Sequence, residues 1–101
     1  MPIKATETSF LATSSLVAWT EFVELTGIHE DRLRELMELG WLQPAGQTSE
    51  APLFRQIDVY KTRKVDRLCE DFELPSLAGA IIVDLLERIE DLENRLKEFK
   101  R

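Results

Sequence analysis

The chain has 101 residues, 44% hydrophobic and 32% charged, with 19 acidic side chains against 13 basic ones and a net charge of −6. That length suits one small domain with an extension rather than two independent cores, and the negative field works against non-specific nucleic-acid binding and toward a basic partner surface. A lone cysteine, Cys69, excludes an internal disulfide; the chain shows no leader pattern, and its longest apolar run, Ala80-Ile81-Ile82-Val83, falls far short of the roughly 20 residues that cross a bilayer, so a cytoplasmic protein without membrane contact is expected.

Residues 1–15 are rich in Ser and Thr, with Phe10-Leu11 as their single apolar pair, and read as a mobile N-terminal arm. Leu16 to Trp19 is short, apolar and partly β-branched, which predicts an extended segment that adds a strand to a later wing. Thr20 is positioned to cap a short helix over about 20–26, with Phe22, Val23 and Leu25 directed inward. Gly27 permits a tight turn. A second helix over about 29–39 places Leu33, Leu36, Met37 and Leu39 on its apolar positions, with His29 as a weak stand-in for a Ser cap and Gly40 as the stop. Its polar side shows Glu30, Asp31, Glu35 and Glu38 against Arg32 and Arg34. In a DNA reader this second helix carries the recognition side chains, and a phosphate backbone repels so acidic a face.

Gln43 to Pro52 holds turn residues, and Pro52-Leu53-Phe54 completes a short two-stranded wing. Trp19, Trp41 and Phe54 are expected to form the core between the second helix and the wing. A third helix over about 56–72 is indicated by Ile57, Val65, Leu68 and Phe72 at helical spacing. Arg55, Lys61, Arg63, Lys64 and Arg67 make the chain's one positive island there, read either as a solvated helix face or as a set of phosphate contacts. Leu74-Pro75-Ser76 breaks the pattern, with Ser76 a cap for a last helix that runs to the chain's end.

In that helix Ala78, Ile82, Leu85, Ile89, Leu92, Leu96 and Phe99 recur at alternating spacings of four and three, an a/d seam. Ile81, Val83 and Leu86 broaden the stripe at its start, which predicts packing on the domain there and a narrower coiled-coil seam beyond. The seam's partner is either a second copy or the chain's own third helix, and the helix is long for so small a domain, which favours the copy. Asp91 and Arg95 are placed to pair one turn apart. The organisation expected is an arm (1–15), a winged helix-turn-helix domain (16–75) and a dimerisation helix (76–101) in a mainly α fold.

The order helix-turn-helix, wing, helix, terminal coiled-coil helix resembles the MerR-like winged-helix proteins, as do Thr26-Gly27-Ile28, Leu33-Arg34 and Leu39-Gly40-Trp41-Leu42-Gln43-Pro44. The short length, Trp19-Thr20-Glu21-Phe22, and Leu68 to Leu74 leading into Glu93-Asn94-Arg95-Leu96 resemble the CbpM chaperone-modulator branch. That resemblance implies a small bacterial homodimer that binds the J-domain of a DnaJ-like co-chaperone of the CbpA type and inhibits its work with Hsp70. Glu35, Leu36 and Met37 stand where DNA-binding relatives carry aromatic residues, and Leu53-Phe54 where they carry an arginine and a tyrosine. The basic helix that such a J-domain presents would be met by Glu30, Asp31, Glu35 and Glu38, and the seam residues Ile82, Leu85, Ile89, Leu92, Leu96 and Phe99 would form the dimer.

The alternatives are a DNA-binding transcriptional regulator using Arg34, Arg55, Lys61, Arg63 and Lys64 on phosphates, and a dimeric adaptor for an unrelated protein. Enzymatic chemistry is not expected: His29 has no Ser or Cys nucleophile at a useful spacing, the glycines stand alone, and one Cys with one His cannot furnish a zinc site. Neither cofactor nor metal is implied.

Overall fold

The computed structural model describes residues 16–48 and 51–100. The arm expected over 1–15 lies outside them. Seven elements follow in chain order: β1 (Leu16–Ala18), α1 (Trp19–Thr26), α2 (Glu30–Glu38), β2 (Gly46–Gln47), β3 (Pro52–Arg55), α3 (Gln56–Phe72) and α4 (Ser76–Phe99). The sheet is antiparallel in the order β1-β3-β2, with Val17 opposite Phe54 and Gly46 opposite Leu53. The extended segment before α1 thus joins the wing as expected, shielding one edge of β3.

The helix-turn-helix closes through backbone chemistry at Gly27, whose φ of 68° lets its N–H reach the Val23 carbonyl at 3.1 Å. Thr26 Oγ1 donates to the same carbonyl and accepts from the Ile28 N–H. Inside the turn lie Phe22, Ile28, Leu33, Leu36 and Leu42, all buried. Phe22 stacks on Phe54 with centroids 4.7 Å apart, and Trp19 tilts against Phe54 at 5.8 Å, so the three rings weld α1 to β3.

Several local expectations are corrected. Ala18, not Thr20, is the N-cap of α1, and no side chain caps it, because Trp19 already turns into the helix to reach Phe54. Leu25 and Leu39 are 42% and 47% exposed; the inward stripe of each short helix is too narrow to include them. Trp41 leaves the aromatic cluster and donates from Nε1 to Asp84 Oδ1 at 2.9 Å, tying the end of α2 to α4. On α3 the buried line is Asp58, Thr62, Val65 and Cys69, while Ile57 and Phe72 face solvent. Ser76 is the first residue of α4 rather than its cap, and Pro75 holds the cap position.

α3 and α4 form an antiparallel pair joined by a short turn at Glu73-Leu74-Pro75. A Cβ on Gly79 would overlap Cys69 Sγ, so glycine is what lets α4 approach α3 this closely. Ala80 and Val83 continue the buried line toward the Lys61–Glu87 ion pair at 3.5 Å. Every residue from Arg88 to Lys100 is exposed. At 1.5 Å per residue, the 24 residues of α4 reach about 36 Å against about 25 Å for the 17 of α3, so the end of α4 runs past the domain.

Candidate interaction surfaces

The start of α2 is built as the sequence suggests. His29 Nδ1 accepts the Asp31 N–H at 3.1 Å, and Glu30 and Asp31 occupy the first turn, where the helix dipole favours carboxylates. From there the four predicted acidic residues part company. Glu30 and Glu38 turn toward the wing: Glu30 Oε1 accepts from Trp19 Nε1 at 3.3 Å and lies 3.6 Å from Arg34, whose guanidinium covers the Trp19 ring at 5.8 Å. Glu38 borders a shallow hollow there with Trp19, Arg34, Met37 and Pro52.

Asp31 and Glu35 face the other way, into a groove between α2 and α3. Its floor is Arg32, a residue the sequence places on the solvent side but which turns inward. Arg32 Nε lies 2.8 Å from Asp66, Nη2 donates to Glu70 at 3.0 Å, and Nη1 donates to Ser76 Oγ at 3.0 Å; the Ser76 hydroxyl donates in turn to Glu35 at 2.8 Å. One guanidinium therefore fixes α2, α3 and α4 together. The groove, about 500 Å³, gathers Asp31, Glu35, Asp66 and Glu70 around that single cation, so four carboxylates minus one guanidinium leave it three charges negative. Asp66 and Glu70 belong to another helix, so nothing along α2 announces them, and the inward-turned Arg32 is what joins them to the acidic side.

The predicted phosphate contacts are spread over three places. Arg34 is committed to Glu30, Arg55 Nη2 lies 3.3 Å from the buried Asp58, and Lys61 lies 3.5 Å from Glu87. Arg63 and Lys64 have no ion pair among the described residues. In the wing, Phe54 is fully buried, so its side chain is not offered to a ligand, and Leu53 is half-buried.

The model of the MerR HTH family of regulatory proteins matches residues 17–101, nearly the whole chain. The chain belongs to that family. No curated protein matches it. In a helix-turn-helix the second helix is the reader, and in this MerR-family chain that helix offers carboxylates on both of its exposed flanks, with a wing strand whose phenylalanine is spent on the core.

The second surface of this MerR-family chain is the outer face of α4. Leu85, Ile89, Leu92 and Leu96 are each about half exposed and Phe99 is 88% exposed, a continuous apolar stripe turned away from α3. Ala78 and Ile82, the first two residues of the expected seam, are half-buried, and the exposed stripe continues toward the helix start through Ile81 and Leu77 instead. Of the residues expected to pack on the domain, Val83 does so; Ile81 and Leu86 stay about half exposed, since the domain side of α4 is the Ser76-Gly79-Ala80-Val83 line. Arg88 and Arg95 both pair with Asp91, at 3.6 and 3.2 Å, which supports the exposed helix without covering the stripe. No described helix is long and apolar enough to cross a membrane.

Proposed function

We propose that the chain is a protein-interaction module, a homodimeric modulator that captures the J-domain of a DnaJ-like co-chaperone and inhibits its action with Hsp70. The observation that carries this reading is the acidic groove between α2 and α3. A basic helix approaching it meets Asp31, Glu35, Asp66 and Glu70 held in place by Arg32, so the carboxylates need little reorganisation on binding. Glu30 and Glu38, on the far flank of α2, extend the negative field that draws such a helix in. The resemblance to the CbpM branch supplies the identity of the basic partner. The exposed stripe of α4 supports the dimer, because an apolar face of this length on a soluble helix is a surface that seeks a partner.

A DNA-binding regulator draws less support from the same geometry. Three of its five cations, Arg34, Arg55 and Lys61, already neutralise carboxylates, and the second helix presents a negative surface to any phosphate backbone.

The deciding experiment is calorimetric titration of the full chain with the isolated J-domain of the source organism's DnaJ-like proteins at low and moderate salt. Binding that weakens with salt is expected, and Glu35→Lys together with Asp66→Lys should reduce it by about tenfold or more. The same titration with duplex DNA should be flat. J-domains that give no heat, or DNA that binds with a steep salt dependence, would overturn the reading.

A further inference from the structure

The Ser76 hydroxyl does not serve its own helix. Ser76 is the first residue of α4, Pro75 holds the cap position before it, and no side chain caps that end. The hydroxyl, on a residue only 6% exposed, instead reaches back to α2, accepting from Arg32 Nη1 at 3.0 Å and bonding Glu35 Oε1 at 2.8 Å. A guanidinium can only donate, so the one proton of the hydroxyl is left for the carboxylate and the direction of the chain is fixed: Arg32 to Ser76, Ser76 to Glu35.

That chain is what ties Glu35 to the rest of the groove. Arg32 spends Nε on Asp66 and Nη2 on Glu70, and among the described residues it makes no direct ion pair with Glu35. Glu35 itself is exposed, and the contact with Ser76 is the one that holds its carboxylate. An exposed glutamate without such a contact rotates freely and gives up that freedom when a partner binds. Here a buried hydroxyl on a third helix fixes it from beneath, beside Asp66 and Glu70, which the same guanidinium fixes from the other side.

We propose that Ser76 is a positioning residue for partner binding, holding Glu35 ready in the groove between α2 and α3 for the cationic side chain of a basic helix. The inference rests on the reading of that groove as the partner surface. It makes α4 part of the partner site as well as the bearer of the apolar stripe. Because Ser76 is uncharged and buried, it acts through Glu35, neither touching the partner nor adding to the field that attracts it. Its removal should therefore change the strength of the complex and leave the salt dependence of binding alone.

The test is a double-mutant cycle on the full chain, read by fluorescence anisotropy with two labelled probes, a synthetic helix bearing Lys along one face and the isolated J-domain. Ser76→Ala should weaken binding of the Lys helix about threefold, with an unchanged slope of affinity against salt. In the Glu35→Ala background the same substitution should change affinity by less than about 1.5-fold, because the group it positions is gone. Circular dichroism sets a temperature at which every variant is folded; should Ser76→Ala not fold, Ser76→Cys in reductant keeps the volume with a much weaker donor and gives the same comparison. Unchanged affinity in Ser76→Ala, or an equal loss with and without Glu35, would overturn the inference while the groove stands as the partner surface. A Lys helix that does not bind the unsubstituted chain would overturn both. A J-domain that does not bind, beside a Lys helix that shows the expected cycle, would remove the co-chaperone and support the role of Ser76.

Discussion

The two halves of α4 differ in composition and in fate: Ser76 to Glu87 holds two charged residues, Asp84 and Glu87, whereas Arg88 to Phe99 holds seven. From Ser76 to Glu87 the helix lies along α3, with Ser76, Gly79, Ala80 and Val83 buried; from Arg88 to Phe99 no side chain is buried. Small residues make the difference. Glycine and alanine let the first half settle onto α3 at close range, whereas the second half has large apolar residues on one side, charges elsewhere and nothing to lie on. Apolar residues at helical spacing therefore encode a stripe, and the stripe's partner is decided by how closely a neighbouring backbone can approach.

Filling the close approach should break the packed half. Gly79→Leu places a side chain where Cys69 Sγ and the Val65 backbone already stand, and overpacking of this kind costs about 3 kcal/mol. The urea midpoint followed by circular dichroism should fall well below that of the unsubstituted chain. A midpoint within error of it would mean that α4 can slide on α3 and that the packed half is less determined than its geometry indicates.

The overhanging half should respond in a different observable. Ile89→Glu/Leu92→Glu puts two carboxylates on the exposed stripe, and in a dimer seam buried unpaired charges would weaken association by about 2 kcal/mol or more. Light scattering at micromolar concentration should then report one chain where the unsubstituted protein reports two. Identical masses for the two proteins would remove the α4 dimer.

How far the sequence could be read follows the same division. The helix-turn-helix was legible because its signals are local: Gly27 and Gly40 sit at positive φ, and Phe22, Leu33 and Leu36 hold the spacing that buries them. The strand at Leu16 was legible as well, from its short, apolar and partly β-branched run. The register of α3 was not. Its inward line includes Asp58 and Thr62, polar residues that a hydrophobic pattern passes over in favour of Ile57 and Phe72. The acidic surface was half legible: Asp31 and Glu35 announce themselves on α2, but Asp66 and Glu70 join them only because Arg32 turns inward, and nothing local distinguishes an inward arginine from an exposed one.

A smaller effect tests the polar line of α3 against which α4 packs. Thr62 is fully buried, and its hydroxyl is the one buried side-chain polar atom among the described residues that finds no hydrogen-bond partner. Thr62→Val keeps the shape and removes the unsatisfied group, so it should stabilise the fold by about 1 kcal/mol, read as a higher urea midpoint. A lower midpoint would show that the hydroxyl is satisfied in solution.

The smallest expected effect lies at the point where the two helices are closest. Burial pushes the Cys69 thiol above its ordinary value of 9.0, with the Arg32 guanidinium and a backbone hydrogen bond from Gly79 pulling the other way without cancelling it. The fold therefore prefers the neutral thiol, which donates to the Pro75 carbonyl at 3.5 Å. Well below the unfolded value both states carry the proton and this group adds no pH dependence. As pH rises past 9.0 the unfolded chain loses its proton first, and the stability that the buried thiol contributes is lost until the folded state ionises too. Tyrosine and lysine titrate in the same range, so the measurement is the difference between the unsubstituted chain and Cys69→Ser, which keeps a donor to Pro75 but does not ionise. The unsubstituted chain should lose stability more steeply than the variant between pH about 8 and about 10. Parallel profiles would mean that the thiol ionises alike in both states, and that the contact between Gly79 and Cys69 opens to solvent more readily than its burial indicates.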